Sequence, residues 1–335
     1  MTTTLQTTGT REIQFREAIN ECLRQEMELD DTIIMMGEEI AGGAGREDQG
    51  IQDAWGGPFR TTVGLIQQFG KERVLDTPLS EAAFIGTAIG AASTGLRPVA
   101  ELMFIDFIGV CMDQLINNAA KMRYMFGGQV KVPFTMMTRI GAGFGAAAQH
   151  SESYYSIFSH IPGLKGVCPS DAYTAKGLLA ACIRDDDPIV FFEHKGLYGI
   201  SGPVPEEPYV LPLGKARTVR EGSDITLVGI SKMTWVADAA AVELAKEGIS
   251  CEVIDLLSVS PIDYDHINES VQKTHRLIVV DEDTPVCNLA SEICARVAEE
   301  VFDYLDAPPS RVTSPHTPVP YSRAMENEYM PNETR

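Results

Sequence analysis

The stretches Leu79-Ser-Glu81 and Gly145-Ala-Ala-Ala-Gln-His-Ser-Glu152 each lie where a strand-like run gives way to small, helix-forming residues. Ligands of open α/β sheets bind beyond the carboxyl ends of the strands, so chemistry is expected at such positions. The first stretch supplies Glu81 and the second supplies His150. The sequence therefore predicts an acid/base pair that faces a shared cleft.

Strand-like and helix-like runs alternate on both sides of these stretches. Predicted helices cover 11–29 (with Thr10 as N-cap), 81–94, 107–124, 151–160, 172–184, 234–247, 264–272 and 289–302. Predicted strands cover 33–36, 73–76, 99–104, 132–138, 166–168, 189–192, 224–229, 251–255 and 277–280. This alternation indicates βαβ units and mostly parallel sheets, that is, an α/β fold.

A segment rich in proline and glycine, 196–212, interrupts the alternation and is the predicted linker. It divides the chain into two doubly wound domains, 1–195 and 213–335. Two domains are also expected from the length of 335 residues, which is long for a single core. A further long loop is predicted at 41–60, where glycine, aspartate and glutamine are frequent.

Composition excludes several classes of partner. A formal charge of −20 argues against binding to nucleic acid or to an anionic membrane surface. No apolar run approaches the roughly 18 residues of a membrane span, and residues 1–10 lack the features of a signal peptide. The seven cysteines are odd in number and form no Cys-x-x-Cys pair, which is typical of reduced cytosolic thiols, and most lie in apolar runs that indicate core positions. We therefore expect a cytoplasmic protein.

Glu81 has two interpretations. A carboxylate in the first turn of a helix complements the helix dipole, which alone would account for it. The following run, Ala82-Ala-Phe-Ile-Gly-Thr-Ala-Ile-Gly-Ala91, is apolar nearly all round, so this helix and its N-terminus are expected to be buried. A buried carboxylate needs a partner or acquires a raised pKa, which suits proton exchange.

His150 also has two interpretations, a loop residue that caps the next helix or a proton-transfer group. The glycine- and alanine-rich run before it allows close approach of backbone to a ligand, which favours proton transfer. Gly141-x-Gly143-x-x-Ala146 matches a dinucleotide fingerprint, but the helix and acidic residue of that motif are not evident. Asp185-Asp-Asp187 is either a metal site or an acidic turn before a strand.

Together these segments resemble the β subunit of the thiamine-diphosphate-dependent first component of 2-oxo acid dehydrogenase complexes. The resemblance covers nearly the whole chain. Its landmarks include Asp76-Thr-Pro-Leu-Ser-Glu81, Gly95-Leu-Arg-Pro-Val-Ala-Glu-Leu-Met103, Gln149-His-Ser151, Pro212-Leu-Gly-Lys-Ala216 and Glu252-Val-Ile-Asp-Leu256. It implies a transketolase-like pyrimidine-binding domain followed by a transketolase C-terminal-type domain.

Within that family the chain looks most like the acetoin dehydrogenase branch. The residues that carry this likeness are Asp53-Ala-Trp-Gly-Gly57, Tyr124-Met-Phe-Gly-Gly128, Gly141-Ala-Gly-Phe144 and Pro315-His-Thr-Pro-Val-Pro320. Acetoin cleavage to acetaldehyde, with transfer of the two-carbon unit to a lipoyl group, is the implied reaction. A pyruvate or branched-chain 2-oxo acid dehydrogenase, a non-catalytic scaffold subunit and a nicotinamide enzyme are the alternatives.

The resemblance also implies roles for particular residues. Glu81 would hydrogen-bond the aminopyrimidine ring of thiamine diphosphate, and Met103 and Phe107 would pack around that ring. His150 would relay protons and face the lipoyl group. The backbone around Cys182, Ile183, Asp185 and Asp187 would form a potassium site.

The resemblance finally implies that this chain works as part of an assembly. The family's Gly-Asp-Gly motif, which holds Mg²⁺ and the diphosphate, belongs to an α subunit and is absent from this sequence. We therefore expect half of a site here, a heterotetramer of two α and two β subunits, and a lipoyl-bearing acyltransferase as the partner enzyme.

Overall fold

The protein is described by a computed structural model that covers residues 10–42 and 56–334. Residues 1–9 and most of the predicted loop 41–60, including Trp55, lie outside the described residues. The predictions made for those two segments are therefore not tested.

The described residues form fourteen strands and eleven α-helices, none of which is long and apolar enough to cross a membrane. The strands are β1 (Thr10–Gln14), β2 (Ile33–Gly37), β3 (Val74–Asp76), β4 (Arg97–Leu102), β5 (Thr135–Ile140), β6 (Lys165–Val167), β7 (Ile189–His194), β8 (Ser201–Pro205), β9 (Arg217–Arg220), β10 (Ile225–Gly229), β11 (Cys251–Asp255), β12 (Ser258–Ser260), β13 (Leu277–Asp281) and β14 (Ser310–Thr313). The helices are α1 (Phe15–Leu29), α2 (Leu65–Phe69), α3 (Glu81–Ser93), α4 (Ile108–Asp113), α5 (Ala120–Met125), α6 (Tyr155–His160), α7 (Ala172–Arg184), α8 (Met233–Lys246), α9 (Tyr264–Thr274), α10 (Leu289–Glu300) and α11 (Arg323–Tyr329).

The larger sheet has the strand order β12-β6-β7-β5-β4-β2-β3. Its neighbouring strands are parallel except for β12, which is antiparallel to β6. The central strands β5 and β7 are buried at every position because helices cover both faces. Val99 and Met137 pack in a core with α1 and α7, whereas Ala100 and Met136 pack in another core with α3.

The smaller sheet has the order β14-β13-β10-β11-β9 and is parallel apart from the edge strand β9. One of its faces packs against α8 through Leu227 and Val253. The opposite face packs against α9 and α10 through Val228 and Ile254. The predicted α/β fold with two doubly wound sheets is therefore confirmed.

Strand β12 joins the two sheets, and the sequence analysis did not predict it. The chain leaves β11 of the smaller sheet and pairs Ser258 with Val167 of the larger sheet. A single hydrophobic core then contains Phe192 from the larger sheet, Val259 from β12 and Val279 from the smaller sheet. The two sheets consequently share buried apolar surface.

Several local predictions differ from the structure, among them the N-terminal helix and the linker. Residues 11–14 were expected to be helical with Thr10 as N-cap, but they form β1 and the helix begins at Phe15. The reason is a capping box, in which the Gln14 backbone amide donates to the Glu17 carboxylate at 2.8 Å. The predicted linker 196–212 contains β8, which pairs antiparallel with β1. Each strand supplies the hydrogen bonds that the other lacks.

The seven cysteines are all free thiols. Five of them are buried, as predicted for core residues: Cys22, Cys111, Cys168, Cys182 and Cys251. The core prediction is wrong for Cys287, which is exposed in the loop before α10, and Cys294 is half-buried.

Tyr155 and Asp281 provide a test of the contact between the two sheets. The Tyr155 hydroxyl at the start of α6 donates to the buried Asp281 carboxylate at the end of β13. We expect Tyr155→Phe to reduce the free energy of unfolding by about 1–3 kcal/mol, because a buried carboxylate loses a donor. Urea denaturation measures this change, with Tyr304→Phe, at an exposed tyrosine, as the matched control. Equal stability of the two variants would show that the Tyr155–Asp281 hydrogen bond does not stabilise the protein.

Candidate functional site

Parallel pairing places the carboxyl ends of five adjacent strands at one edge of the larger sheet. These strands are β7, β5, β4, β2 and β3, in that order. Six side chains follow these strands, and both predicted catalytic residues and both predicted ring-packing residues are among them. The six are Lys195 after β7, His150 after β5, Met103 and Phe107 after β4, Glu38 after β2, and Glu81 after β3. The structure therefore brings these side chains to a common edge.

Glu81 and His150 lie at this edge but not in adjacent positions. Strands β4 and β2 separate the strands from which the two residues follow. At about 4.8 Å for each strand spacing, the two strand ends are about 14 Å apart. This separation suits two groups that contact different parts of one extended ligand better than a directly bonded acid/base pair.

Glu81 begins α3, and its side chain is half-buried in the first turn. The helix buries a single face that includes Phe84, Ile85 and Ala88, and it leaves Ala83 and Thr87 exposed. The prediction that this helix is buried all round, together with its N-terminus, is therefore wrong for the described chain. The periodicity was not visible because the exposed face carries small residues instead of charged ones.

Glu38 is a second carboxylate at this edge, and the sequence analysis missed it. Its side chain is buried, and among the described residues its Oε1 atom has no hydrogen-bond partner. Burial, followed by the negative charge of Glu81, raises the pKa of Glu38 to about 7. The signal that could have found Glu38 is its position directly after a strand, as for Glu81.

His150 lies in a short 3-10 turn, Ala148–His150, against two aromatic rings. Its ring centroid is 4.6 Å from that of Phe104 and 5.5 Å from that of Phe107, both at 81° between planes. Edge-to-face contact of this kind fixes the orientation of an imidazole ring. Phe107, predicted as a ring-packing residue, thus contacts the predicted catalytic histidine. Phe104 was not predicted.

Lys195 and Asp106 hold the backbone around the histidine. The Lys195 ammonium donates to the His150 carbonyl oxygen, and Asp106 Oδ1 accepts from the Ser151 and Glu152 amides at 3.2 and 3.3 Å. Burial lowers the pKa of Lys195 to about 8, although Asp106 opposes this shift. Burial, with a contribution from Asp106, raises the pKa of Glu152 to about 7.

The predicted potassium ligands lie at the far end of α7 from this edge. Arg97 Nη1 already donates to the carbonyl oxygens of Ile183 and Asp185, at 3.1 and 2.9 Å. Lys165 Nζ lies 2.8 Å from the carboxylate of Asp185 and 3.0 Å from that of Asp187. Two cations of the protein thus satisfy this helix C-terminus. The described residues contain no cluster of three or more metal-binding side chains, and the potassium site stays a prediction.

Two cavities of the described chain lie away from this edge. One, of about 620 Å³, is lined by residues such as His160, Pro261 and Asn288. Another, of about 690 Å³, is lined by residues such as Arg16 and Arg24. Glu81 and His150 line neither of them.

Comparison with known proteins assigns the chain to a family. The sequence model of the transketolase pyrimidine binding domain matches residues 11–201, and that of the transketolase C-terminal domain matches residues 214–335. The β subunit of acetoin:2,6-dichlorophenolindophenol oxidoreductase from Bacillus subtilis is 53% identical over 321 residues, which are 96% of this chain and 94% of that protein. The chain belongs to the transketolase-like E1 β-subunit family.

Other relatives of this E1 β subunit agree with the assignment. The corresponding oxidoreductase β subunit of Cupriavidus necator is also 53% identical, with the same coverage. A pyruvate dehydrogenase E1 β subunit of Oryza sativa is 44% identical, over 96% of this chain and 83% of its own. A split-gene transketolase, solved as an inactive β4 tetramer, shares the fold with a TM-score of 0.75, 20% identity, and coverage of 95% of this chain and 93% of its own. The predicted family is thus confirmed.

The lowered pKa of Lys195 predicts how this E1 β subunit responds to pH. Between its folded-state pKa of about 8 and the ordinary value of 10.5, the unfolded chain binds more protons than the folded chain. The contribution of Lys195 to stability therefore rises with pH in this window, by about 3 kcal/mol at most. In Lys195→Met we expect this rise to be missing.

The measurement is urea denaturation of wild type and Lys195→Met from pH 7.5 to pH 10.5. The difference in unfolding free energy should grow with pH in favour of the wild type. Lys246→Met, at an exposed lysine, serves as control and should run parallel to the wild type. A difference that stays constant with pH would contradict the lowered pKa of Lys195.

Proposed function

We propose that this chain is the β subunit of a thiamine-diphosphate-dependent acetoin dehydrogenase component. The proposed reaction cleaves acetoin, releases acetaldehyde, and passes the remaining two-carbon unit to the disulfide of a lipoyl group, which oxidises it to an acetyl thioester. The observation that carries this proposal is the 53% identity to two acetoin oxidoreductase β subunits, against 44% to the pyruvate dehydrogenase β subunit of Oryza sativa.

The residues at the sheet edge fit an aminopyrimidine ring. Such a ring is flat, with apolar faces and polar nitrogen atoms at its rim. Half-buried Met103 and Phe107 offer apolar contact, and the half-buried Glu81 carboxylate offers a hydrogen-bond acceptor. The unpaired Oε1 of Glu38 is a second buried acceptor nearby. When bound, thiamine diphosphate supplies the carbanion chemistry that amino-acid side chains lack.

In this proposal the chain holds the aminopyrimidine ring, orients His150 and moves protons. Glu81 accepts a hydrogen bond from the ring, and Met103 and Phe107 exclude water from its faces. Phe104 and Phe107 orient the His150 imidazole edge-on, at 4.6 and 5.5 Å. His150 gives or takes a proton at the reacting oxygen atoms and faces the incoming lipoyl group.

An α subunit completes the site in this proposal. The sequence contains no Gly-Asp-Gly motif, so Mg²⁺ and the diphosphate are assigned to the α subunit. Glu81 is only half-buried, and the nearby apolar residue Leu79 is exposed, which supports a surface that a second chain covers. We therefore propose a heterotetramer of two α and two β subunits, and a lipoyl-bearing acyltransferase as the next enzyme.

Three further proposals concern the chain itself. The division into 1–195, a linker 196–212 and 213–335 is proposed from composition. A cytoplasmic location is proposed because all seven cysteines are free thiols. A potassium ion at the C-terminus of α7 is proposed from the family resemblance alone.

A pyruvate dehydrogenase component is the second candidate. The observation that favours it is the 44% identity to pyruvate dehydrogenase E1 β subunits, over 96% of this chain. The proton-handling residues would be the same, and CO₂ would replace acetaldehyde as the leaving group. Activity measured with a panel of substrates separates these two candidates, whereas the structure of the β chain does not.

The test is reduction of 2,6-dichlorophenolindophenol by this chain co-expressed with an α subunit, supplied with thiamine diphosphate and Mg²⁺. We expect activity with acetoin and at least about tenfold less with pyruvate or 3-methyl-2-oxobutanoate. Glu81→Gln and His150→Ala should each lower kcat by about 10²-fold or more, because each removes a proton-handling group.

Matched variants control for nonspecific damage. Glu72→Gln and His160→Ala make the same chemical changes at exposed residues and should keep wild-type activity. If the enzyme prefers an oxo acid, that acid is the substrate instead of acetoin, and the proposed site stays the same. Full activity of both Glu81→Gln and His150→Ala would instead favour a non-catalytic scaffold subunit.

A further inference from the structure

The loop that carries His150 is anchored by the second domain. Three backbone amides of the loop donate to two carboxylates from the smaller-sheet domain. Ala142 N donates to Glu282 Oε1 at 2.6 Å, and Gly143 N and Gly145 N donate to the two carboxylate oxygens of Glu326, both at 2.8 Å. Glu326 lies on α11 and Glu282 directly follows β13.

Both carboxylates are buried and committed to this loop. The exposed fraction is 1% for Glu326 and 4% for Glu282. The second oxygen of Glu282 lies 2.7 Å from Nε2 of His194, the last residue of β7. Charge-assisted hydrogen bonds in a buried setting are among the strongest that a protein forms. The carboxylates therefore fix the backbone between Ala142 and Gly145.

The loop backbone is adapted to this arrangement. Gly141 has φ of +92°, and a Cβ atom there would lie 2.2 Å from Nε2 of His194. The Gly141 amide donates to the Glu152 carbonyl at 3.1 Å, which closes the base of the loop. Ala142 packs with Val319 and Tyr329, so an apolar contact of the second domain reinforces the hydrogen bonds.

His150 lies between this anchor and a second one. On its far side, Lys195 binds the His150 carbonyl oxygen and Asp106 binds the next two amides. On the near side, the amides of Ala142, Gly143 and Gly145 donate to Glu282 and Glu326, and the Gly141 amide donates to the Glu152 carbonyl. Loss of the Glu326 contacts would leave the segment from Gly143 to Ala147 free to shift.

We propose that Glu326, supported by Glu282, is a positioning residue for His150. The last helix of the second domain thereby sets the place of a proton-transfer group that belongs to the first. This inference rests on the proposed function of His150. It predicts that loosening the loop impairs turnover more than substrate binding, since a misplacement of about 1 Å can cost about 10²-fold in rate.

The experiment compares wild type, Glu326→Gln and Glu299→Gln in the assembled α/β complex. Glu326→Gln keeps the size of the side chain but removes its charge and one of its two acceptors. Glu299→Gln makes the same change at an exposed residue of α10. Hydrogen exchange by mass spectrometry reports on residues 141–150, and dye reduction gives kcat and KM for acetoin.

In Glu326→Gln we expect exchange in 141–150 to be at least about tenfold faster. The kcat for acetoin should fall by about tenfold or more while KM changes by less than about threefold. Glu299→Gln should match the wild type in all three quantities. If His150→Ala is inactive, faster exchange with an unchanged kcat would overturn the proposal, because the contacts would then be structural only. Unchanged exchange would overturn it as well.

A readout independent of turnover separates this proposal from the proposed function. Diethyl pyrocarbonate labels accessible imidazoles, and its rate at His150 is measured by mass spectrometry in wild type and Glu326→Gln. A changed labelling rate supports positioning even if His150→Ala proves active, in which case only the catalytic role of His150 fails. An unchanged rate overturns positioning. If Glu326→Gln does not assemble, Glu326→Asp, which keeps the charge but shortens the side chain, is measured in the same way.

Discussion

Parallel pairing of β7, β5, β4, β2 and β3 is the constraint on which the rest of this structure depends. Because these strands run in one direction, their carboxyl ends share one edge, and the residues that follow each strand meet there. Burial of both sheet faces makes that edge the available place for polar chemistry. Glu38, Glu81 and His150 owe their common location to this pairing, although they lie far apart in sequence.

The edge gains its chemical character from the groups around it. Phe104 and Phe107 orient the His150 ring, and Lys195 and Asp106 hold its backbone. Carboxylates from the second domain bind the other side of the same loop. The two domains thus hold the His150 loop from both sides, and Glu81 at the N-terminus of α3 stays half-buried.

Much of this could be predicted from the sequence because it is encoded locally. The alternation of strands and helices, and the positions of Glu81 and His150 after strands, follow from short-range patterns. Strands β1, β8, β9, β12 and β14 were missed because each is short and pairs with a segment distant in sequence. The exposed face of α3 was missed because its residues are small and not charged.

The candidate-site residues that the sequence analysis missed fall into two groups, those that follow a strand and those that come from the second domain. Glu38 and Lys195 directly follow strands, so the rule that identified Glu81 would have found them. Glu282 and Glu326 reach the histidine loop from the second domain, and no local pattern marks such a contact. Their role becomes visible only when both domains are placed together.

We propose that this chain supplies half of a cofactor site at the carboxyl edge of its larger sheet. Calorimetric titration of thiamine diphosphate with Mg²⁺ tests it most directly, using the β chain alone, an α subunit alone and the two together. We expect tight, saturable binding of thiamine diphosphate to the mixture and at least about 10²-fold weaker binding to either chain alone. Binding to the isolated β chain as tight as to the mixture would contradict it.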